Sequence, residues 1–429
     1  MKNFIEELRQ RGMIQDHTPE VEQQLNSQMT VGYIGFDPTA ASLHIGNLAT
    51  IMLLVHFQRC GHKPIALIGG ATGMIGDPSG KSSERNLLSY ETILHNQARI
   101  RKQLEHFLDF DCGANSAEIV NNYDWMKNFS FLEFLRDVGK HLTVNYMLAK
   151  DSVQKRLESG ISYTEFSYQL LQAYDFYYLY TNKNVKLQMG GSDQWGNITS
   201  GIELIRRISG KTAYALTTPL VTKSDGTKFG KSESGNVWLD AEMTSPYQFY
   251  QFWLNVSDED THKLIRVFTL FSIEEIQSLE QQHAQAPHQR ILQKAIAEQV
   301  TERVHGKAEL QKAKTASEIL FGKGVTDALK SLDEKTFLQA LEGVPQTHIS
   351  ASEFYNCHNL AELLCTATRN EIFPSKSEVR KMVQNGGISI NKQKVESTEI
   401  KPTAFDLIHN RYLLVQKGKK NYHLVVVKD

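Results

Sequence analysis

Residues 31–47, VGYIGFDPTAASLHIGN, limit the folds open to this chain more than any other stretch. The segment opens as a strand, because Val31, Tyr33 and Ile34 are strand formers set between glycines. It turns at Phe36-Asp37-Pro38-Thr39 and runs into a helix through residues 48–57. Gly32 and Gly35 carry no side chain, so the backbone there can approach a ligand closely. His44-Ile45-Gly46-Asn47 falls where the helix begins, and free N–H groups with a positive dipole end suit an anion. Thr39 and His44 can add donors beside it. Strand, tight loop and helix start together outline a nucleotide-phosphate site.

The pattern repeats downstream. A strand over 64–69 leads into the glycine-rich turn GGATGMIGDPSGKSSER (residues 69–85) and then a helix through 93–107. A third strand, 118–122, ends in Asn121-Asn122-Tyr123-Asp124. Strands alternating with helices imply a parallel sheet with right-handed crossovers, and ligands of such sheets bind at the strands' carboxyl ends. Asp37, Asp77 and Asn122 fall there. Residues 125–185 read as a helical insertion. Within it Tyr168, Gln172 and Asp175 are spaced four and three apart, so one helix face presents all three. A phenol, an amide and a carboxylate on one face resemble a recognition surface. The next strand, 185–189, runs into Gly190-Gly191-Ser192-Asp193-Gln194-Trp195, and Arg206 and Arg207 close the helix that follows. Leu220-Val221 is expected as a last short strand. It opens onto TKSDGTKFGKS (222–232), a basic loop with three lysines and two glycines. Residues 245–320 read as helical, and the aromatics at 247–253 read as core.

At 429 residues the chain exceeds one ordinary domain. Gly322, Gly324 and the polar stretch to His348 suggest a linker. In the tail, Ser375–Gln384 reads as a helix with Val379, Met382 and Val383 inward and Arg380 and Lys381 outward, followed by short strands over 388–391, 411–415 and 423–427. Residues 376–429 hold 11 Lys and Arg against 5 Asp and Glu, a net of +6 inside a chain of net −1. A basic tail on an acidic body suggests a polyanion partner for the tail. No apolar run is long enough to span a bilayer, so no membrane association is expected. MKNFIEELRQRG is amphipathic and lacks the apolar core of a signal peptide. Cys60, Cys112, Cys357 and Cys365 show no metal-ligand spacing, which makes a reducing cytoplasm the simple expectation.

Along its whole length the chain resembles the bacterial tyrosyl-tRNA synthetases, which are class I aminoacyl-tRNA synthetases. His44-Ile45-Gly46-Asn47 is similar to the HIGH signature and Lys228-Phe229-Gly230-Lys231-Ser232 to the KMSKS signature. Residues 375–394 are similar to an S4-type RNA-binding module. Alone, His44 would more often be a capping residue and the lysine loop ordinary solvated surface. Both signatures in order, with GYIGFDPTA, GDPSGKSSER and GGSDQWGN, carry the resemblance. Asn47 replaces the last His of HIGH, and Phe229-Gly230 replace Met-Ser.

The resemblance implies an α/β fold in four stretches. They are a Rossmann-like parallel-sheet catalytic domain over 1–220 with a helical dimer insertion, the signature loop and a helical anticodon-side domain over 221–330, a linker over 331–350, and a small α+β S4-like module over 351–429. It implies a cytoplasmic homodimer that joins tyrosine to ATP as tyrosyl-adenylate, releasing pyrophosphate, and then transfers tyrosine to the 3′ end of tRNA(Tyr). ATP would be a substrate bringing Mg²⁺ on its phosphates, with no tightly bound cofactor and no protein metal site. Thr39, His44, Lys228 and Lys231 are implied as catalytic. Asp77, Tyr168 and Gln172 would hold the tyrosine ammonium, and Tyr33 and Asp175 its phenolic hydroxyl. ATP would meet Gly35, Asp37, Thr39, His44, Asn47, Gly191, Asp193, Lys228, Lys231 and Ser232. Arg206, Arg207, Arg380 and Lys381 would contact tRNA. Two rivals are a tryptophan-specific relative, against which Tyr33 and Asp175 speak, and a catalytically silent RNA-binding homologue, against which His44, Lys228 and Lys231 speak.

Overall fold

Alternating strands and helices build a six-stranded sheet that positions the site. The computed structural model describes residues 2–79, 87–157, 160–232, 235–321, 326–341, 344–418 and 421–428, without the side chains of 231–232, 319–321, 326–328 and 340. The strands of this sheet are β1 (Asp16–His17), β2 (Val31–Phe36), β3 (Lys63–Ile68), β4 (Glu118–Asn121), β5 (Val185–Gly191) and β6 (Tyr214–Thr218). Their order is β1-β6-β5-β2-β3-β4. All neighbours are parallel except β1, which pairs antiparallel with β6. β3 is buried from Pro64 to Ile68, as expected of a strand covered on both faces. From β2 the chain steps outward through β3 to β4, then returns along the helix Tyr163–Lys183 to β5 on the other flank of β2. The strand order therefore reverses between β2 and β5, where a parallel sheet opens a crevice at its carboxyl edge. Tyr33 and Gln188 are register partners across that line.

The helix Ile45–Arg59 buries residues nearly all round, including Leu48, Met52, Leu53 and Phe57, so it is a core helix rather than a half-exposed one. Its packing corrects one sequence expectation. A Cβ on Gly32 would lie 2.9 Å from Phe57 Cζ, so the glycine there makes room for the helix and not for a ligand. Of the two glycines only Gly35 is exposed and lines a cavity at the strand's end, and a Cβ there would make no more than an ordinary contact, 3.7 Å from Leu67 Cδ2. Leu220-Val221 is a second correction. The sheet's last strand is Tyr214–Thr218, buried from Ala215 to Thr218 between β5 and β1. Leu220 has left the sheet and is 48% exposed, while the Val221 carbonyl accepts from Phe229 N–H in the basic loop. That loop continues into a two-stranded ribbon, β7 (Lys231–Ser232) with β8 (Gly235–Asn236).

The amino-terminal helix Phe4–Arg11 buries Phe4, Ile5 and Leu8 completely, as its periodicity predicts, and Gly12 ends it in a left-handed conformation. Arg11 is 3% exposed. Its Nε donates to Glu7 at 2.6 Å, its Nη1 to the carbonyls of Arg266 and Thr269 at 2.9 and 3.0 Å, and its Nη2 to Phe271 O at 2.7 Å. Those carbonyls belong to the end of the helix Asp258–Phe268 and the turn beyond it. A buried cation thus satisfies orphan carbonyls at the negative end of a helix.

The chain divides into two compact units, residues 1–244 with 252–304, and residues 245–251 with 305–429. The second unit has its own five-stranded sheet of β9 (Gln346–Ser350), β10 (Ile388–Ile390), β11 (Gln393–Lys394), β12 (Tyr412–Lys417) and β13 (Asn421–Lys428), ordered β11-β10-β12-β13-β9. β9 lies parallel to β13 and falls inside the stretch expected as linker. Only Thr347 and Ile349 point inward there, so its composition looks polar. Residues 322–325 and 342–343 of the expected linker region, and 80–86 of the glycine-rich turn, lie outside the described residues. The helix Lys376–Gln384, capped by Ser375, buries Val379 and Val383 and leaves Arg380 and Lys381 exposed.

Replacing Arg11 by alanine strips three carbonyls of a buried donor. Arg11→Ala should destabilise the first unit by about 3 kcal/mol, read as a lower urea midpoint. The exposed Arg9→Ala should leave the midpoint unchanged.

Candidate active site

A cavity of about 740 Å³ opens at the carboxyl ends of β2 and β5. It gathers residues that are far apart in sequence: Tyr33, Gly35, Asp37, Thr39, His44, Asn47, Asp77, Tyr168, Gln172, Asp175, Gly191, Asp193 and Lys228 all line it. Lys231 and Ser232 lie in β7, with side chains outside the described residues. Arg206, Arg207, Arg380 and Lys381 are exposed and do not line the cavity. Arg206 and Arg207 pair with Glu203, and the hydrogen bonds from Arg206 above all hold that carboxyl down at about 2.

In the depth of the cavity stand Tyr33, 1% exposed, and Asp175, 2% exposed. Asp175 accepts from Asn122 Nδ2 and Trp125 Nε1, both at 2.9 Å. Burial outweighs those two donors and pushes the Asp175 carboxyl up to about 7. The Tyr33 hydroxyl is raised well above its ordinary value, first by burial and then by the charge of Asp175. Its Oη has no hydrogen-bond partner among the described residues. A buried hydroxyl left so costs about 1–3 kcal/mol. The pair therefore suits a ligand that accepts from Tyr33 and donates to Asp175.

A second chain of bonds runs beside it. Tyr168 Oη donates to Asp37 Oδ2 at 2.8 Å, Thr72 Oγ1 to Asp37 Oδ1 at 2.7 Å, and Asn122 Nδ2 to Thr72 Oγ1 at 2.9 Å. Asp37, expected on the nucleotide side, is thus tied to Tyr168. Further along, Asp77 accepts from Gln194 Nε2 at 2.6 Å and Asn197 Nδ2 at 3.3 Å, and Gln172 Nε2 donates to Gln194 Oε1 at 3.2 Å. Gln172 Oε1 is buried without a partner among the described residues. Three carboxylates and an unpartnered amide oxygen make this depth a place for a cation, while Lys228 stands exposed at the rim.

The helix start departs from expectation. Ile45 N–H, one of the groups expected to be free for an anion, donates to Val237 O at 3.0 Å. His44 N–H donates to Asn47 Oδ1 at 3.1 Å, which occupies that side-chain oxygen. A Cβ on Gly46 would lie 2.7 Å from His44 Cε1, so glycine is needed for the imidazole to fold over the first turn. Donors here come from side chains more than from the helix end.

Sequence reading missed Thr72, Trp125, Gln188, Gln194 and Asn197. Gln188 had a visible signal, a polar residue amid the apolar strand Val185–Gly191. It is 3% exposed, lines the cavity, and its Oε1 has no partner among the described residues. Among those residues no group of three or more His, Cys, Asp or Glu converges as a metal site.

Because Asp175 takes up a proton near pH 7 when the pocket is empty, a phenol that must donate to it competes with that proton. The affinity of such a phenol should fall as pH drops from 8 to 6, approaching a tenfold loss per unit below 7. For folding the sign is opposite. The raised pKa favours the empty fold at low pH, and that contribution is lost as pH rises through about 7. Calorimetric titration at pH 6, 7 and 8 checks the binding claim, and a dissociation constant flat across that range would contradict it.

Comparison with known proteins shows the family. Residues 25–322 match the family model "tRNA synthetases class I (W and Y)", and residues 336–425 match the "Tyrosine--tRNA ligase SYY-like C-terminal domain". The chain is 63% identical over 425 residues to the tyrosine–tRNA ligase of Cytophaga hutchinsonii, covering 99% of each. It is 59% identical to that of Amoebophilus asiaticus over the full length of both. Among solved structures, a C-terminally truncated mitochondrial tyrosyl-tRNA synthetase of Aspergillus nidulans superimposes with a TM-score of 0.67 at 30% identity, covering 75% of this chain and 95% of that one. Matched in fold, in both family models and in sequence from end to end, the chain belongs to the tyrosine–tRNA ligase family of class I tRNA synthetases.

Proposed function

We propose that the chain joins tyrosine to ATP as tyrosyl-adenylate and then transfers the tyrosyl group to tRNA(Tyr). The observation that carries this is the unpartnered Tyr33 hydroxyl facing the buried Asp175 carboxylate. A phenol satisfies both, donating to Asp175 and accepting from Tyr33. Indole N–H has one donor and no acceptor, so tryptophan would leave Tyr33 unsatisfied. Phenylalanine would leave both, each at a cost of about 1–3 kcal/mol. At the other end, Asp77 and the Gln172 amide oxygen suit the α-ammonium, with Tyr168 alongside.

The substrate carboxylate then points toward the rim, where Thr39, His44 and Lys228 lie. It is already ionised and needs no general base. Its oxygen attacks the α-phosphorus in line, and the bond to the pyrophosphate oxygen breaks. The protein's share is positioning, and neutralising charge as it grows on the leaving pyrophosphate. Lys228 and Lys231 on the basic loop suit that, with Ser232 beside them. Asn47 and Asp193 suit the ribose, and Gly35 allows the nucleotide's close approach, while the bare Cα of Gly191 makes room for the Asp193 carboxylate, which an added Cβ would meet at 2.7 Å. Magnesium enters as the ATP complex, coordinated mainly by phosphates and water.

We assign residues 1–220 to activation, 221–330 to the signature loop and a helical anticodon-side domain, and 351–429, together with β9 whose strand belongs to the same sheet, to an S4-like tRNA-binding module, which leaves only the part of 331–350 before β9 as connection. Arg380 and Lys381 in that module, with Arg206 and Arg207 in the first stretch, are the chain's proposed tRNA contacts. A homodimer through the helical insertion is supported by Phe131, Leu132, Val144, Leu157 and Tyr163, which are 43–77% exposed. A monomer in sedimentation equilibrium would remove that part. The four free cysteines fit a reducing cytoplasm.

Tyr33→Phe should lower the tyrosine-over-phenylalanine preference in pyrophosphate exchange by about tenfold. An unchanged preference would mean that Tyr33 does not read the phenol. Reversing the exposed charges with Arg380→Glu and Lys381→Glu should leave exchange intact, weaken tRNA charging, and flatten the salt dependence of tRNA binding. Wild-type charging at subsaturating tRNA would remove the tail from the tRNA interface.

A further inference from the structure

The segment that leaves the basic loop is stitched to the first signature. Val237 N–H donates to Gly230 O at 2.9 Å, Ile45 N–H to Val237 O at 3.0 Å, and Leu239 N–H to Leu43 O at 2.9 Å. Between those bonds His44 and Trp238 pair as an antiparallel bridge. Their rings meet edge to face, with centroids 5.9 Å apart and planes at 61°.

Both ends of this strap are fixed. Beyond it, Ser42 Oγ accepts from Asp240 N–H at 3.2 Å and from Gln103 Nε2 at 2.9 Å, and Arg99 pairs with Asp240 at 2.5 Å and Glu242 at 2.9 Å. Before it, Phe229 is 7% exposed and packs against the rings of Phe252, Trp253 and Phe268. Trp238 is itself pinned at the backbone, its main-chain N–H donating to Thr244 Oγ1 at 2.9 Å. The His44 ring thus rests over Gly46 on one side and meets Trp238 on another.

We infer that Trp238 is a positioning residue that holds the His44 imidazole over the first helical turn, making the two signature segments one mechanical unit. The inference rests on the adenylate-forming reading of the site. It adds a residue that neither signature contains, seven positions beyond Lys231. A ring this constrained on two faces keeps its donor aimed at the phosphates without ordering it anew in each cycle. Trp238 also lines the cavity. A direct contact with nucleotide is therefore the competing account, and it predicts a different kinetic signature.

The test is a double-mutant cycle on the full chain, using tyrosine-dependent ATP–pyrophosphate exchange with W238L, W238F, H44A and H44A/W238L. If Trp238 acts through His44, W238L lowers kcat about tenfold at saturating substrates, with the tyrosine Kd and the KM for ATP within about twofold of wild type. W238F, which keeps a ring, should recover most of that loss. H44A/W238L should be no slower than H44A. Losses that multiply in the double variant would overturn the inference, as would a raised KM for ATP at unchanged kcat. Should W238L fail to fold, W238H takes its place in the same cycle. A wild-type chain without tyrosine-dependent exchange would instead sink the parent reading.

Discussion

A carboxylate buried at the switch point between β2 and β5 is the constraint around which the rest of the site is arranged. Asp175 is 2% exposed, and an isolated charge at that depth would be neutralised or expelled. Two donors, Asn122 and Trp125, soften the cost without removing it, which is why its carboxyl still titrates near 7. Asn122 is held in turn through Thr72, Asp37 and Tyr168. The burial of one acid thereby recruits side chains from the carboxyl ends of β2, β3 and β4 and from the helix Tyr163–Lys183. Breaking any link exposes an unsatisfied partner further along, so the pocket is specified as a network.

The same arrangement separates charge along the cavity. Carboxylates and amide oxygens crowd the depth, while lysine and histidine stand at the rim. On the function proposed above, a zwitterion entering this field is oriented before any chemistry, with its ammonium toward the carboxylates and its carboxylate toward the rim. No general base is needed in such a site. On the same function, its selectivity rests on the Tyr33 hydroxyl, which has no partner among the described residues and stays unsatisfied unless the ligand carries a group that can bond to it.

Much of this was legible in the sequence, and the failures have physical causes. The parallel strands were visible because apolar runs such as Lys63–Ile68 lead into a glycine-rich turn at their carboxyl ends. Tyr168, Gln172 and Asp175 were visible because helical spacing puts them on one face. β1 has two residues and no pattern to detect. β9 hides its two inward side chains among exposed polar ones. Thr72, Trp125, Gln194 and Asn197 matter only through bonds to residues 22 to 120 positions away or to a neighbour that makes such a bond. Local pattern carries no trace of that. The free helix end anticipated at Ile45 failed for the same reason, since Val237, nearly two hundred residues on, fills its first donor. Gly32 could be read as a close approach, but not as an approach by Phe57 rather than by a ligand.

The central claim is that a phenol completes the pair of Tyr33 and Asp175 and that a nucleotide then reacts at the rim. ATP–pyrophosphate exchange measured with each of the twenty amino acids in turn tests it most directly. The account predicts exchange with tyrosine, none above background with tryptophan, and phenylalanine slower by orders of magnitude. Exchange supported by tryptophan, or by no amino acid at all, would contradict it.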